Sequence, residues 1–346
     1  MISTLNLRAL SWGILATFIT LVGVVLGSRN LRNFDGALVA YLFGTVFAVF
    51  GIVYRYVVWL QRPPTRLYFR RFLQHLFSRR ALPNAVSFAS AFSKNVLAQS
   101  FIFRRDHKRG LAHFALAWGC LSAFAITIPL TFGWIHFTLE REGIYQAHLF
   151  GFPGFSFAID GVVAFFLFHA LNISSVLVIA GALYFLRRRM TDAGQIATQT
   201  FEMDWMPLVL LVLVSVTGLG VTLDYELLQG KAHAFMAITH AITVVIFLVW
   251  LPFGKFFHVV QRPAQVGLAL YREEGARGPM AVCPHTGEPF ATALHIADLG
   301  QVTRETGLDF TLADGSSHLD LSPDGKRAAL ARAHLAARKS SGAYFG

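Results

Sequence analysis

Cysteine is nearly missing: Cys120 and Cys283 are the only two in 346 residues. Two thiols cannot build a disulfide framework, a four-thiolate iron-sulfur cluster or the Cys-x-x-Cys-His attachment of a c-type haem. A redox metal in this chain would need other ligands. Charge is scarce as well, at 14% of residues against 55% hydrophobic, with a mean hydropathy of +0.52. That excludes the pair of water-soluble domains the length would otherwise suit and marks a membrane protein. Acidic residues are fewest, 19 against 30 Lys and Arg, for a net charge of +11. In an apolar chain such an excess marks cytoplasmic loops more often than nucleic-acid binding. No positive cluster, short apolar core and small-residue cleavage site open the chain, so the first span reads as a retained signal anchor. There is also no internal repeat of the kind transporters carry. No Gly-rich nucleotide fingerprint surrounds Gly218 and Gly220, which read as close-packing glycines.

Six apolar windows are long enough to cross roughly 30 Å of hydrocarbon at 1.5 Å per residue: Ala9–Gly27, Gly36–Leu60, Leu111–Phe137, Phe157–Leu186, Trp205–Leu223 and Ala234–Phe257. The expected fold is all-α: a polytopic membrane bundle of six transmembrane helices with a haem-binding core and a short soluble C-terminal tail. Three regions follow, a signal-anchor span over 1–35, a membrane domain over 36–262 and a tail over 263–346. Eleven Lys and Arg fall between Gln61 and Gly110, and Arg187, Arg188 and Arg189 open another loop, whereas the alternate loops hold few cations. The asymmetry predicts that both termini and the 61–110 loop are cytoplasmic. Within that loop Ala85–Phe103 mixes Phe88, Phe92, Val96, Leu97 and Phe101 with polar residues, which fits an interfacial helix, with a polar linker as the alternative. Leu330–Ala337 in the tail reads as helical.

With thiols excluded, the 13 histidines are the ligand inventory. An ionisable side chain at membrane depth is costly and is a functional hypothesis by default; His113, His169, His240 and His258 qualify. His240 and His258 are separated by 258 − 240 = 18 positions. On one helix that is five whole turns, so both would share a face about 27 Å apart along the axis. Such spacing suits two b-type haems stacked across the membrane, each held by two neutral imidazoles from facing helices. His113, at the start of its span, and His258, at the end of another, reach the same depth and form the inner pair; His169 matches the depth of His240 for an outer pair. Cys283-Pro284-His285 lacks a second Cys-x-x-His and reads as an ordinary loop. The outer ends of the spans offer His136, Glu140, Tyr145, His148, Asp224, Lys231 and His233 as groups that could take up or release protons, with Lys231 and His233 favoured because they directly precede the His240 helix.

Several stretches resemble a known family. Asn95-Val96-Leu97-Ala98-Gln99, Arg104-Arg105-Asp106, Gly110-Leu111-Ala112-His113 and Trp118-Gly119 resemble the membrane cytochrome b subunits of the nitrate reductase gamma family. They are closest to the relatives in heterodisulfide reductase and sulfite-reduction complexes. His240 to His258, with Pro252-Phe253-Gly254-Lys255 before the final His, is similar to the last helix of that family, and Asp204 with Thr217-Gly218-Leu219 to the penultimate one. The resemblance covers roughly residues 90–262. It implies a quinol-oxidising or quinone-reducing subunit of a respiratory complex, with one or two haems b. Menaquinone or ubiquinone would be its substrate, with an outer quinone site drawing on the outer-end groups above, Lys231 and His233 first; a cytoplasmic iron-sulfur subunit of the heterodisulfide-reductase type would be its partner, and a bacterial or archaeal plasma membrane its location. The nitrate reductase branch carries a second His about three turns deeper on the first His helix; here that neighbourhood is Ala123. Either His169 or another group replaces the missing ligand, or only the inner haem is bound. The other classes are a six-span transporter, for which Asp160 is the clearest intramembrane carboxylate, and a haem-free anchor for a peripheral enzyme.

Overall fold

A computed structural model of the chain describes residues 5–312 and 315–341. Along the chain run helices α1 (Leu7–Gly27), α2 (Val39–Leu60), α3 (Pro63–Leu76), α4 (Ala81–Phe92), α5 (Ser100–Phe103) and α6 (His107–Thr131). Strands β1 (Ile135–Arg141), β2 (Ile144–Leu149) and β3 (Phe152–Ala158) follow, then α7 (Val162–Thr191), α8 (Ala193–Thr198), α9 (Met206–Leu228), α10 (His233–Trp250) and α11 (Phe257–Arg277). The last part holds β4 (Met280–Val282), β5 (Pro289–Thr292), α12 (Ala293–Glu305) and α13 (Pro323–Ser341). The chain divides into two compact units, one of residues 1–58 and 94–262 and one of residues 59–93 and 263–346.

The first unit is the expected helix bundle. Six of its helical segments are long and apolar enough to cross a membrane: α1, Gly36–Leu60, α6, α7, Phe201–Leu228 and α10. Their outward faces carry large apolar side chains such as Leu7 (70% exposed), Phe43 (71%) and Phe235 (69%). Water would not tolerate so continuous an apolar surface, whereas lipid does. The centre is packed by Val178, Leu210, Leu211 and Phe247, against which Leu116, Cys120, Phe124 and Trp250 lie.

Two expected boundaries shift. The window Leu111–Phe137 gives way to a helix ending at Thr131, and Phe157 belongs to β3 rather than to the next span. Between them β1, β2 and β3 form an antiparallel meander in which Ile135, Phe137 and Leu139 alternate with His136, Thr138 and Glu140, the period-2 pattern of a half-covered strand. Phe137, Tyr145 and Phe157 stack around Phe168 of α7 and fix the sheet to the bundle. Asp160 precedes α7 and so lies outside the span that was to contain it.

The larger correction concerns Ala234–Phe257. Helix α10 stops at Trp250, and His258 is the second residue of a separate helix, α11. Pro252 supplies no amide donor to continue α10. Gly254 lies under the Trp250 indole, where an added Cβ would stand 1.7 Å from the ring. The five-turn relation between His240 and His258 therefore does not hold.

The interfacial helix expected over Ala85–Phe103 is also absent as a single element. Ala81–Phe92 is α4, Ser93–Leu97 is a π-helical turn, and a left-handed residue, Gln99 (φ 51°), precedes α5. Only the part from Lys94 belongs to the bundle unit.

The second unit joins residues 59–93 to the tail, so the tail is not the separate 263–346 region the sequence suggests. Its centre is Asp298, with 2% of its side chain exposed, ion-paired to Arg71 at 2.6 Å and accepting the Tyr271 hydroxyl at 3.1 Å. Burial, and after it the Asp298 carboxylate, pushes the Tyr271 phenol above its ordinary range. Leu330–Ala337 lies inside α13. Cys283 is fully buried at the end of β4, where its amide donates to the Glu288 carbonyl at 2.9 Å. Burial alone would push its thiol up, but hydrogen bonds from the Ser322 and Thr286 side chains and from the Ser322 and His285 amides prevail and bring it to about 6.

Candidate functional site

Two cavities run through the bundle unit. The first, about 230 Å³, is lined by His113, His258, Gln99, Phe101, Cys120 and Arg262 among others. The structure thus brings together the inner histidine pair, although from α6 and the start of α11 rather than from two long spans. Each imidazole is fixed through Nδ1. His113 Nδ1 lies 2.7 Å from Gln99 Oε1, and His258 Nδ1 lies 2.5 Å from the Lys255 carbonyl oxygen. An oxygen without a proton can only accept, so both Nδ1 atoms donate, and a neutral imidazole held in this way keeps its lone pair on Nε2. This is the tautomer, with its supporting acceptor, that a metal-ligating imidazole requires.

The local sequence explains why these acceptors stand where they do. The π turn Ser93–Leu97 and the left-handed Gln99 redirect the chain so that the buried Gln99 amide (4% exposed) meets His113. A non-glycine residue in that backbone region is costly, and such strain collects at functional sites. Asp106 caps α6 by accepting the Arg109 amide, and the Trp118 indole donates to the Leu97 carbonyl at 3.1 Å, tying the turn to the helix that carries His113.

The break that holds His258 is pinned from two sides. The Arg55 Nη1 donates to the carbonyls of Pro252 (2.5 Å) and Gly254 (3.2 Å), and its guanidinium lies 4.3 Å from the centre of the Phe257 ring. Lys255 Nζ meets Asp204 Oδ1 at 2.5 Å, and Arg189 Nη1 reaches the same oxygen at 2.8 Å. The other Asp204 oxygen accepts the Thr200 amide at 3.0 Å. Asp204 itself stands in a π turn, Phe201–Trp205, the kind of irregularity that often marks a functional segment. Arg262 adds a cation to the cavity lining while stacking over Phe101 at 4.7 Å.

The second cavity, about 360 Å³, is lined by His240, Asn172, Ser175, Ser215, Thr222 and Ala123 among others. Cys120, Phe124, Leu211 and Phe247 line both cavities and form the wall between them. His240 Nδ1 lies 3.0 Å from Thr217 Oγ1, whose own proton goes to the Leu213 carbonyl at 2.7 Å. With that proton on a backbone carbonyl the hydroxyl is able to accept from Nδ1, and the neutral Nδ1–H tautomer of His240 keeps its lone pair on Nε2; Thr243 Oγ1 lies 3.0 Å from the same hydroxyl. Gly218 leaves room for the ring, since an added Cβ would meet His240 Cε1 at 3.2 Å.

His169 does not join His240. It lies between the α7 residues Phe168, Leu171 and Asn172 that line the second cavity, but turns away from them, with Nδ1 3.0 Å from the Phe165 carbonyl and its ring stacked on Phe165 at 4.6 Å. The outer pair of the sequence reading is thus not assembled. Lys231 and His233 are exposed, one just before α10 and one at its first residue, and neither lines either cavity. His136 and His148 face each other across β1 and β2 with parallel rings 4.8 Å apart. Burial, then the neighbouring His148, lowers the affinity of His136 for a proton. Glu140 accepts the Ser156 hydroxyl, and Tyr145 stacks on Phe157. Asp224, 1% exposed, accepts the Ala232 amide at 2.9 Å ahead of α10. Among the described residues no group of three or more His, Cys, Asp or Glu side chains is placed to hold a metal ion.

Gln99, Arg262 and Asn172, which line the cavities, and Thr217, which lies against His240, have no role in the sequence reading. Arg262 offered a signal as the cation four residues after His258, and Asn172 as an amide inside an apolar span.

Comparison of the chain with protein-family models, with curated proteins and with solved structures finds no match.

Proposed function

We propose that this protein is the haem b membrane subunit of a respiratory oxidoreductase complex, passing electrons between the quinone pool and a cytoplasmic iron-sulfur partner of the heterodisulfide-reductase type. The observation that supports this reading is the first cavity, which His113 and His258 both line, each with Nδ1 against an amide oxygen, so that a neutral imidazole so held offers Nε2 as a ligand. A bound haem supplies one-electron ferric/ferrous chemistry there. The chain's own residues do the rest. Gln99 and the Lys255 carbonyl set tautomer and ring orientation, and Phe101, Leu116 and Phe256 exclude water. Arg262 offers a cation for a propionate, which in a low-dielectric bundle needs a partner. Two cysteines cannot supply a four-thiolate iron-sulfur cluster, and neither Cys120 nor Cys283 belongs to a group of three or more metal-ligating side chains among the described residues, so the next carrier belongs to another subunit. The Lys and Arg asymmetry supports placing both termini in the cytoplasm of a bacterium or archaeon, in its plasma membrane.

The test is a dithionite-reduced minus oxidised spectrum of the purified protein with pyridine haemochrome quantitation. One acid-acetone-extractable b-type haem per chain is expected. A folded preparation with no Soret band, even after haem supplementation, removes the reading. Reporter fusions at Gly346 and within 140–148 should give opposite signals, and the same sidedness from both contradicts the orientation.

A further inference from the structure

The second cavity is the larger of the two, and its chemistry differs in kind. Its lining holds one imidazole, and no Lys, Arg, Asp or Glu occurs among the described residues that form it. A haem would bring two carboxylates into this low-dielectric space with no cation in the lining to offset their desolvation, and would find one imidazole rather than two. A cavity without fixed charge is suited to a neutral occupant.

The polar groups say which neutral occupant. In the tautomer that the Thr217 hydroxyl can hold, with Nδ1–H donating to it, His240 presents Nε2 as an acceptor. On α7, Asn172 Oδ1 already accepts the Thr222 hydroxyl at 3.0 Å, which leaves the Asn172 amide hydrogens as donors. An acceptor and a donor from different helices line a largely apolar space, with Ala123 providing room where a longer side chain would fill it. A planar ring bearing an oxygen at each end could use both: one oxygen would accept from Asn172, and the other, when reduced to a hydroxyl, would donate to His240. The shared wall of Cys120, Phe124, Leu211 and Phe247 leaves only one layer of side chains between such a ring and the first cavity.

We propose that the second cavity binds the ring of an isoprenoid quinone, with Asn172 as donor and His240 as acceptor, in place of a second haem and of a surface site at Lys231 and His233. The choice of a quinone among neutral rings rests on the electron-transfer reading; the neutral, two-ended character of the site rests on the cavity alone.

The experiment measures haem and quinone separately in wild type, His240→Leu, Asn172→Leu and Ala123→Phe. Thermal unfolding is recorded to confirm that each variant is folded. Ala123→Phe fills the cavity without removing a polar group, so it reports on the site even where a polar variant loses structure. Binding is titrated with a short-chain ubiquinone and a short-chain menaquinone, and endogenous quinone is extracted and counted. All three variants should bind the probes at least tenfold more weakly than wild type, with haem per chain unchanged. Loss of one of two haems in His240→Leu would mean that the cavity holds a second macrocycle and would overturn the proposal. So would wild-type affinity in Asn172→Leu and Ala123→Phe, or failure of wild type to bind either probe. A haem-free protein whose quinone binding still falls in the variants would remove the electron-transfer reading and leave this site standing. One haem with unaltered quinone binding would do the reverse.

Discussion

The two cavities are lined by many of the same helices and share a wall, yet they are not two copies of one site. The first has two imidazoles, each with its Nδ1 hydrogen held by an amide oxygen, and a guanidinium. The second has one imidazole, held by a hydroxyl, and no charged side chain. Identical residues in identical numbers would argue for two equal cofactors. On the proposed reading the inequality is a division of labour, in which one cavity would hold a metal and the other a neutral ring.

The largest effect that could break this comparison comes from the imidazoles themselves. His113→Ala and His258→Ala should each abolish low-spin haem in the purified protein, since either leaves the iron with a single axial ligand. His240→Ala should leave haem per chain as it was. Haemochrome quantitation across the three variants decides the matter; equal losses at His240 and His258 would make the cavities equivalent after all.

How much of this was legible in the sequence follows the physics of each feature. Apolar windows of about 20 residues made the six spans readable, because hydrocarbon thickness is a constraint on length alone. The cost of a membrane histidine singled out His113, His240 and His258, and all three line cavities. His169 was selected by depth, and depth does not say which way a residue faces: Phe168, Leu171, Asn172 and Ser175 occupy the cavity side of α7 at helical spacing, and His169 stands off that face. The break after Trp250 was written in Pro252 and Gly254, but an assumed continuous helix overrode both. The meander over 135–158 was written in alternating Ile135, Phe137 and Leu139, hidden by windows that average hydropathy over longer stretches. Acceptors such as Gln99 were beyond sequence reasoning, since its contact with His113 depends on a π turn and a left-handed residue that no local pattern announces.

An intermediate effect should come from Asp204, which meets both Lys255 and Arg189 and through Lys255 holds the segment whose carbonyl orients His258. Asp204→Asn leaves Arg189 without its partner in a site where only 16% of the Arg189 side chain is exposed. Breaking such a pair costs about 3 kcal/mol. Denaturation monitored by circular dichroism should register that loss. Lys255→Met should cost less, because 53% of that lysine side chain is exposed and Arg189 still serves Asp204. If the segment is what positions His258, Asp204→Asn should also alter the electron paramagnetic resonance signature of the ferric haem. Lower stability with an unchanged spectrum would reduce Asp204 to an anchor without influence on the ligand.

The smallest effects are the most discriminating, because they exchange the acceptor behind an imidazole without touching the imidazole. Gln99→Leu removes the oxygen that holds His113 Nδ1–H. That acceptor makes the imidazole a stronger donor to iron and so favours the ferric state. Its loss should raise the midpoint potential and weaken haem retention by roughly 10- to 100-fold. Thr217→Val removes the corresponding acceptor behind His240. A hydrogen bond of this kind is worth about 1 kcal/mol, which corresponds to roughly fivefold in the affinity of the second cavity for a short-chain quinone, while the haem potential should stay where it was. Redox titration and quinone binding on both variants therefore form a crossed pair. Gln99→Leu should move the potential and leave quinone affinity alone, and Thr217→Val should do the opposite. A shift of the haem potential in Thr217→Val of the size seen in Gln99→Leu would place a haem on His240 and erase the difference between the two cavities.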